Sequence, residues 1–267
     1  MIIARFLHQG RQSYGIVEGE QVRPVEGDIF GDYRLTSAIN LTEVRLLSPV
    51  APSKILAVGL NYRSHLDHLK DQFEPPAQPE LFLKPSSAVI GPDEPIILPD
   101  SDTAGRIDYE GELVAVIGRR CRRVSESQAL DFVLGYTCGN DVSARRWQKK
   151  DLQWWRAKGA DTFAPLGPWI VDGLDPTNLE LRTRVNGEVR QSANTSLLIY
   201  SVAEVISFAS RVMTLEPGDV LFTGTPGEPG SLSPGDVVEI EVERVGVLRN
   251  TVKGSEGQAG RAKITAL

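Results

Sequence analysis

Asp108-Tyr109-Glu110-Gly111-Glu112 runs straight into Leu113-Val114-Ala115-Val116-Ile117-Gly118, and the reading of this junction decides the fold. Read as a strand, its side chains alternate, so Glu110 and Glu112 leave one face and Gly111 turns to the other. A glycine there lets a neighbouring backbone approach closely. Two carboxylates held this near each other repel, and burial would force a proton onto one of them unless a cation sits between. A third acid, Asp141, follows a second strand-like run, Phe132-Val133-Leu134-Gly135-Tyr136-Thr137-Cys138-Gly139-Asn140. Three carboxylates with no His and no paired Cys beside them form an oxygen-only donor set, which suits a hard ion such as Mg²⁺ or Mn²⁺. On spacing alone the competing reading is a solvated strand edge with ordinary acids.

Composition bounds the rest. The chain has 267 residues, 41% of them hydrophobic and 24% charged, enough for a sizeable core in one large domain or one domain plus a small appendage. A net charge of −6 argues against general affinity for nucleic acid or anionic membranes. Its one basic knot, Arg119-Arg120-Cys121-Arg122-Arg123, reads as a solvated turn. Two cysteines, Cys121 and Cys138, lack metal-ligand spacing and suggest a reducing compartment. Met1-Ile2-Ile3-Ala4-Arg5 shows no leader pattern and no run reaches membrane-span length, so the cytoplasm is the expected location.

Residues 1–50 read as a small N-terminal β domain of short strands punctuated by Gly10, Gly19 and Gly27. A proline-fixed connector around Pro49 and Pro52 leads into the second domain, 51–267. Residues 62 to 80 are polar, carry His65 and His68, and end in prolines. A short helix and loop acting as a lid is one reading, and a surface loop is the other. Val185-Asn186-Gly187-Glu188 predicts a two-residue hairpin. Ser201-Val202-Ala203-Glu204 is a capping box, followed at helical spacing by Val202, Val205, Ile206, Ala209, Val212 and Met213, a stripe expected in the core. Glu239, Glu241 and Glu243 alternate with apolar residues and read as a solvent-facing strand edge. The fold class is α+β, rich in β.

Four stretches, in order, resemble the fumarylacetoacetate hydrolase family: Gly59-Leu60-Asn61-Tyr62-Arg63-Ser64-His65; Leu81-Phe82-Leu83-Lys84-Pro85-Ser86; Tyr109-Glu110-Gly111-Glu112-Leu113 with Gly139-Asn140-Asp141-Val142-Ser143-Ala144-Arg145; and Thr223-Gly224-Thr225-Pro226. The resemblance implies a C-terminal mixed β-sandwich or β-roll, a homodimer, and Mg²⁺ or Mn²⁺ held by Glu110, Glu112 and Asp141. It implies a small 2-oxo acid as substrate, His65 as the catalytic base, Lys158 facing the substrate, and Gln148 and Thr225 as substrate contacts. The implied reaction is hydrolysis of a C–C bond in an acylpyruvate-like 1,3-diketo acid. Isomerisation or decarboxylation of a 2-hydroxy-dienedioate or oxaloacetate-type substrate is the alternative, followed by a ligand-binding homologue without catalysis.

One position departs from the pattern. Family hydrolases pair this histidine with a glutamate three residues on, one helical turn away, which orients the imidazole and raises its basicity. Here that position is His68. An imidazole brings no fixed negative charge, which weakens the expectation of a water-activating step more than that of metal and enolate chemistry.

Overall fold

Every residue of the strand Gly111–Ile117 is buried, which requires packing on both of its faces. The computed structural model describes residues 1–68 and 74–255, without the side chain of His68. It sets this strand inside a large mixed sheet, antiparallel to Val133–Asn140 on one side and to Val220–Phe222 on the other. On the far side of Val220–Phe222 come Ile55–Gly59, in parallel, and then the edge strand Glu80–Lys84. In the opposite direction Val133–Asn140 pairs with Ala164–Val171, which pairs with Ile2–His8. The strands of the first fifty residues thus extend the same sheet, while Ala4, Phe6, Val17 and Val22 keep a small core of their own.

A second sheet of five strands runs in the order Ile96–Leu98, Gly246–Gly254, Val237–Val242, Glu180–Val185, Glu188–Asn194. Leu113, Ala115 and Ile117 share one core with Leu181, Ile240 and Leu248 of this second sheet, whereas Val114 and Val116 join Ile55, Ala57 and Phe222 on the opposite face. Gly111 lies where the layers come closest. A Cβ there would sit 2.1 Å from Thr183 Oγ1, so the glycine is required by the close approach its position predicts.

The hairpin at Asn186-Gly187 forms with φ of +53° and +81°, the paired left-handed conformations of a type I′ turn. Strand Val237–Val242 alternates half-exposed with buried residues. The helix Val202–Val212 carries the full capping box, with Ser201 accepting from Glu204 N–H and Glu204 from Ser201 N–H. Its stripe is shorter than the spacing predicts: Val202, Val205, Ile206 and Ala209 are buried, but Val212 is 73% exposed because it falls at the edge of the apolar face in the last turn. The segment 62–80 opens with the helix Arg63–His68. The middle of the predicted lid, residues 69–73, lies outside the described residues. No helix among the described residues is long and apolar enough to cross a membrane.

Candidate active site

Register assembles the acidic cluster. Gly111 faces Asn140 across the antiparallel pair, so Glu110 and Asp141 emerge side by side just beyond it. Asp141 N–H donates to Glu110 C=O at 2.8 Å, and Glu110 N–H donates to Asn140 Oδ1 at 2.9 Å. One carboxylate oxygen each from Glu110, Glu112 and Asp141 lies within 4.8 Å of the others, and all three side chains are buried. The loop Thr223-Gly224-Thr225 closes over them. Thr223 Oγ1 donates to Leu113 C=O at 2.8 Å, and Gly224 N–H donates to Glu112 Oε2 at 2.6 Å. Gly224 has φ +104°, and a Cβ on it would meet the Asn61 Cβ at 2.8 Å. Buried Asn61 is satisfied by donating to Thr223 C=O and Tyr200 C=O and accepting from Tyr200 N–H.

Cations answer most of this charge. Lys158, buried in the short helix Trp155–Gly159, sets its Nζ 2.6 Å from both Glu110 Oε2 and Asp141 Oδ2. Lys84, fully buried at the end of strand Glu80–Lys84, pairs with Asp141 Oδ1. Arg145 places Nη2 2.6 Å from Glu110 Oε1, Nε 2.6 Å from Asp108 Oδ2, and Nη1 2.8 Å from Gln148 Oε1. The two-residue pairing of Asp108 with Ser143 brings Asp108 beside this helix start, and Arg106 also pairs with Asp108. Among the described residues, Glu112 alone of these acids has no cationic partner.

The titration behaviour follows from that difference. Burial penalises the Glu110 charge, but Lys158 and Arg145 outweigh it and hold its carboxyl well below the usual range. Burial pushes Glu112 well up, and the neighbouring Asp141 and Glu110 push it further. Burial lowers Lys84 despite Asp141, whereas Asp141 and Glu110 overcome burial at Lys158 and raise it. A divalent ion fits this arrangement: it would supply Glu112 with its missing counter-charge, and each carboxylate oxygen already bonded keeps a second lone pair. The all-oxygen donors suit Mg²⁺ or Mn²⁺.

All seven residues singled out in the sequence, His65, Glu110, Glu112, Asp141, Gln148, Lys158 and Thr225, line one pocket. Phe82 and Trp154 form its apolar wall, their rings 5.5 Å apart edge to face, with the Lys158 ammonium 5.1 Å from the Phe82 centroid. His65 Nδ1 lies 2.7 Å from Gly227 C=O. The Thr225 hydroxyl donates to Gly111 C=O at 3.0 Å and accepts from Gln191 Nε2 at 2.9 Å, so its backbone N–H is the donor left for a ligand.

Four participants carry no assignment from the sequence: Lys84, Arg145, Asp108 and Gln191. Lys84 and Arg145 stand inside the recognised motifs, and alternation along Leu81-Phe82-Leu83-Lys84 sets Lys84 on the face of Phe82. Gln191 offers only a faint signal, a lone polar residue at an inward position of a strand. It accepts from Gly111 N–H at 3.2 Å and donates to Pro226 C=O at 2.7 Å, tying the late loop to the acidic strand.

Residues 54–253 match the family described as fumarylacetoacetate (FAA) hydrolase C-terminal, and residues 1–49 match the Rv2993c-like N-terminal family. A solved structure of 5-carboxymethyl-2-hydroxymuconate delta-isomerase from Mycobacterium smegmatis superposes with a TM-score of 0.89 at 46% identity, covering 96% of this chain and 100% of that one. A mitochondrial oxaloacetate tautomerase of Xenopus laevis is 40% identical over 228 residues, 80% of this chain and 70% of its own. Maleylpyruvate hydrolase from Sphingobium sp. SYK-6, solved with manganese(II) and pyruvate, gives a TM-score of 0.80 at 31% identity, covering 96% of this chain and 100% of that one.

Proposed function

The chain belongs to the fumarylacetoacetate hydrolase family, and from that premise we propose that it is a divalent-metal enzyme that moves a proton along the carbon skeleton of a small 2-oxo acid, as an isomerase or tautomerase. The observation that carries the metal and the acid substrate is Glu112: a buried carboxylate beside two others, with no cation of its own among the described residues. Glu110, Glu112 and Asp141 would hold Mg²⁺ or Mn²⁺, which when bound draws charge from the carboxylate and oxo oxygens of the acid.

The remaining steps belong to the chain. Thr225 N–H and the Gln148 amide orient the acid. Lys158 and Arg145 add positive charge where the enolate oxygen develops, although both are already shared with Glu110. Phe82 and Trp154 keep water from that end of the pocket. His65 takes a proton from the carbon beside the oxo group and returns it at another position. Its hydrogen-bond partner is a neutral carbonyl, a weaker support for water activation than a carboxylate, which favours proton transfer over hydrolysis. The similar isomerase and tautomerase support the same choice. Hydrolysis of an acylpyruvate-type C–C bond is the second reading, supported by the likeness to maleylpyruvate hydrolase. We place the enzyme in the cytoplasm as a homodimer, without nucleic-acid or membrane partners.

The test is incubation with Mn²⁺ in D₂O, followed by NMR, using oxaloacetate, a 2-hydroxy-dienedioate and an acylpyruvate. Deuterium entering carbon with the skeleton intact, and absent from Glu112→Ala, is the expected result. Cleavage products from the acylpyruvate alone would establish the second reading. Neither exchange nor cleavage with any of the three would remove the enzymatic reading.

A further inference from the structure

Gly227 grips the helix Arg63–His68 at two points. Its N–H donates to Ser64 Oγ at 3.1 Å, and its carbonyl lies 2.7 Å from His65 Nδ1. The residue sits at φ +58°, where a side chain is strained by the backbone although the space around it is open. The grip is anchored to the acidic strand, because Gln191 holds the preceding Pro226 carbonyl and the Gly111 N–H with one amide.

A carbonyl oxygen can only accept, so the hydrogen of the His65 contact belongs to Nδ1. We infer that the Gly227 carbonyl is the positioning group that selects the Nδ1–H tautomer of His65 and leaves Nε2 as the proton acceptor of the pocket. This is the orienting task that a glutamate one turn along the helix would otherwise perform, and position 68 supplies no carboxylate for it. Selection is needed because a free neutral imidazole in water carries its hydrogen mainly on Nε2, the reverse of what a base facing the substrate requires. Among the described residues Nε2 has no hydrogen-bond partner, while the ring lines the pocket with Glu110 and Gln148. Burial, acting against the pull of Glu110, lowers the proton affinity of the ring and favours its neutral form. The catalytic meaning of this tautomer rests on the proposed function, but the tautomer itself does not.

Long-range ¹H–¹⁵N spectroscopy reads it directly. The chain has three histidines, so His8→Gln and His68→Gln variants assign the His65 signals. The expected spectrum of the metal-free wild type near neutral pH shows a pyrrole-type Nδ1 and a pyridine-type Nε2. Gly227→Pro removes the N–H and imposes a negative φ, so its His65 should revert toward Nε2–H and kcat should fall about 10²-fold with little change in KM. A wild-type His65 protonated on Nε2, or on both nitrogens, overturns the inference. So does an Nδ1–H tautomer that survives in a folded Gly227→Pro. If that variant does not fold, the wild-type spectrum still tests the inference, because a ring protonated on Nε2 or on both nitrogens overturns it without the variant. The expected spectrum with no turnover of any substrate leaves the tautomer standing and defeats the proposed function.

Discussion

Glu112 and Lys84 occupy the same buried cluster and respond to substitution in opposite ways. Glu112 faces two like charges without a cation, so Glu112→Gln relieves repulsion in chelated protein. Its melting temperature under EDTA should equal or exceed that of the wild type. Adding Mn²⁺ should stabilise the wild type, by about 2.7 kcal/mol at a hundredfold excess over Kd, and leave the variant unmoved. A wild type whose melting temperature ignores Mn²⁺ would contradict the metal site. Lys84→Met does the reverse, leaving buried Asp141 with only one of the two ammonium groups that neutralise it. Breaking a buried pair from one side costs about 3–5 kcal/mol, which a shift in urea midpoint at constant slope would register.

At the scale of elements, the site depends on how closely two sheets can stack. The strand Gly111–Ile117 presses on Glu180–Val185 and Val237–Val242 at Gly111, where Thr183 Oγ1 and Ile240 Cδ1 would lie 2.1 and 3.0 Å from an added Cβ. Gly111→Ala should therefore destabilise the fold by about 1–3 kcal/mol and displace Glu110 and Glu112, lowering activity along with stability. Thr183→Ala removes the nearer obstacle, and the double variant should regain part of the loss, a coupling visible in a double-mutant cycle. Strict additivity would show that the two strands do not meet as described.

The whole molecule registers burial as a pH limit. Burial pushes the Cys138 thiol up to about 12, and burial with a contribution from Asp175 raises the Tyr136 phenol above its usual value. Groups whose folded pKa lies above the unfolded one stabilise fully at lower pH, then lose that contribution as pH climbs through the gap. For Cys138 the gap runs from its ordinary value of 9.0 to about 12. Stability should be flat around pH 8 and fall through about pH 10–11, each group costing about 1.4 kcal/mol per pH unit inside its window. Urea midpoints across that range check this, and Cys138→Ala should make the decline shallower. Both thiols are buried and free, so alkylation in native buffer should be slow until the protein is denatured.

Local chemistry makes much of this fold legible in the chain itself. The apolar run after Glu112, the Asn186-Gly187 turn and the Ser201–Glu204 box each encode their own geometry within a few residues. The family resemblance likewise points to the acidic trio together with His65, Gln148, Lys158 and Thr225, and the fold gathers all seven around one pocket. What tertiary structure alone decided is which charge answers which. Lys84 reaches Asp141 from the edge of the same sheet, Gln191 reaches Gly111 from the second sheet, and Arg145, although close to Asp141 in the chain, joins Glu110 and Asp108 only once the strands pair. The partner of His65 was hidden most completely. It is a backbone carbonyl 162 residues away, and every residue carries such a carbonyl, so residue identity cannot mark it.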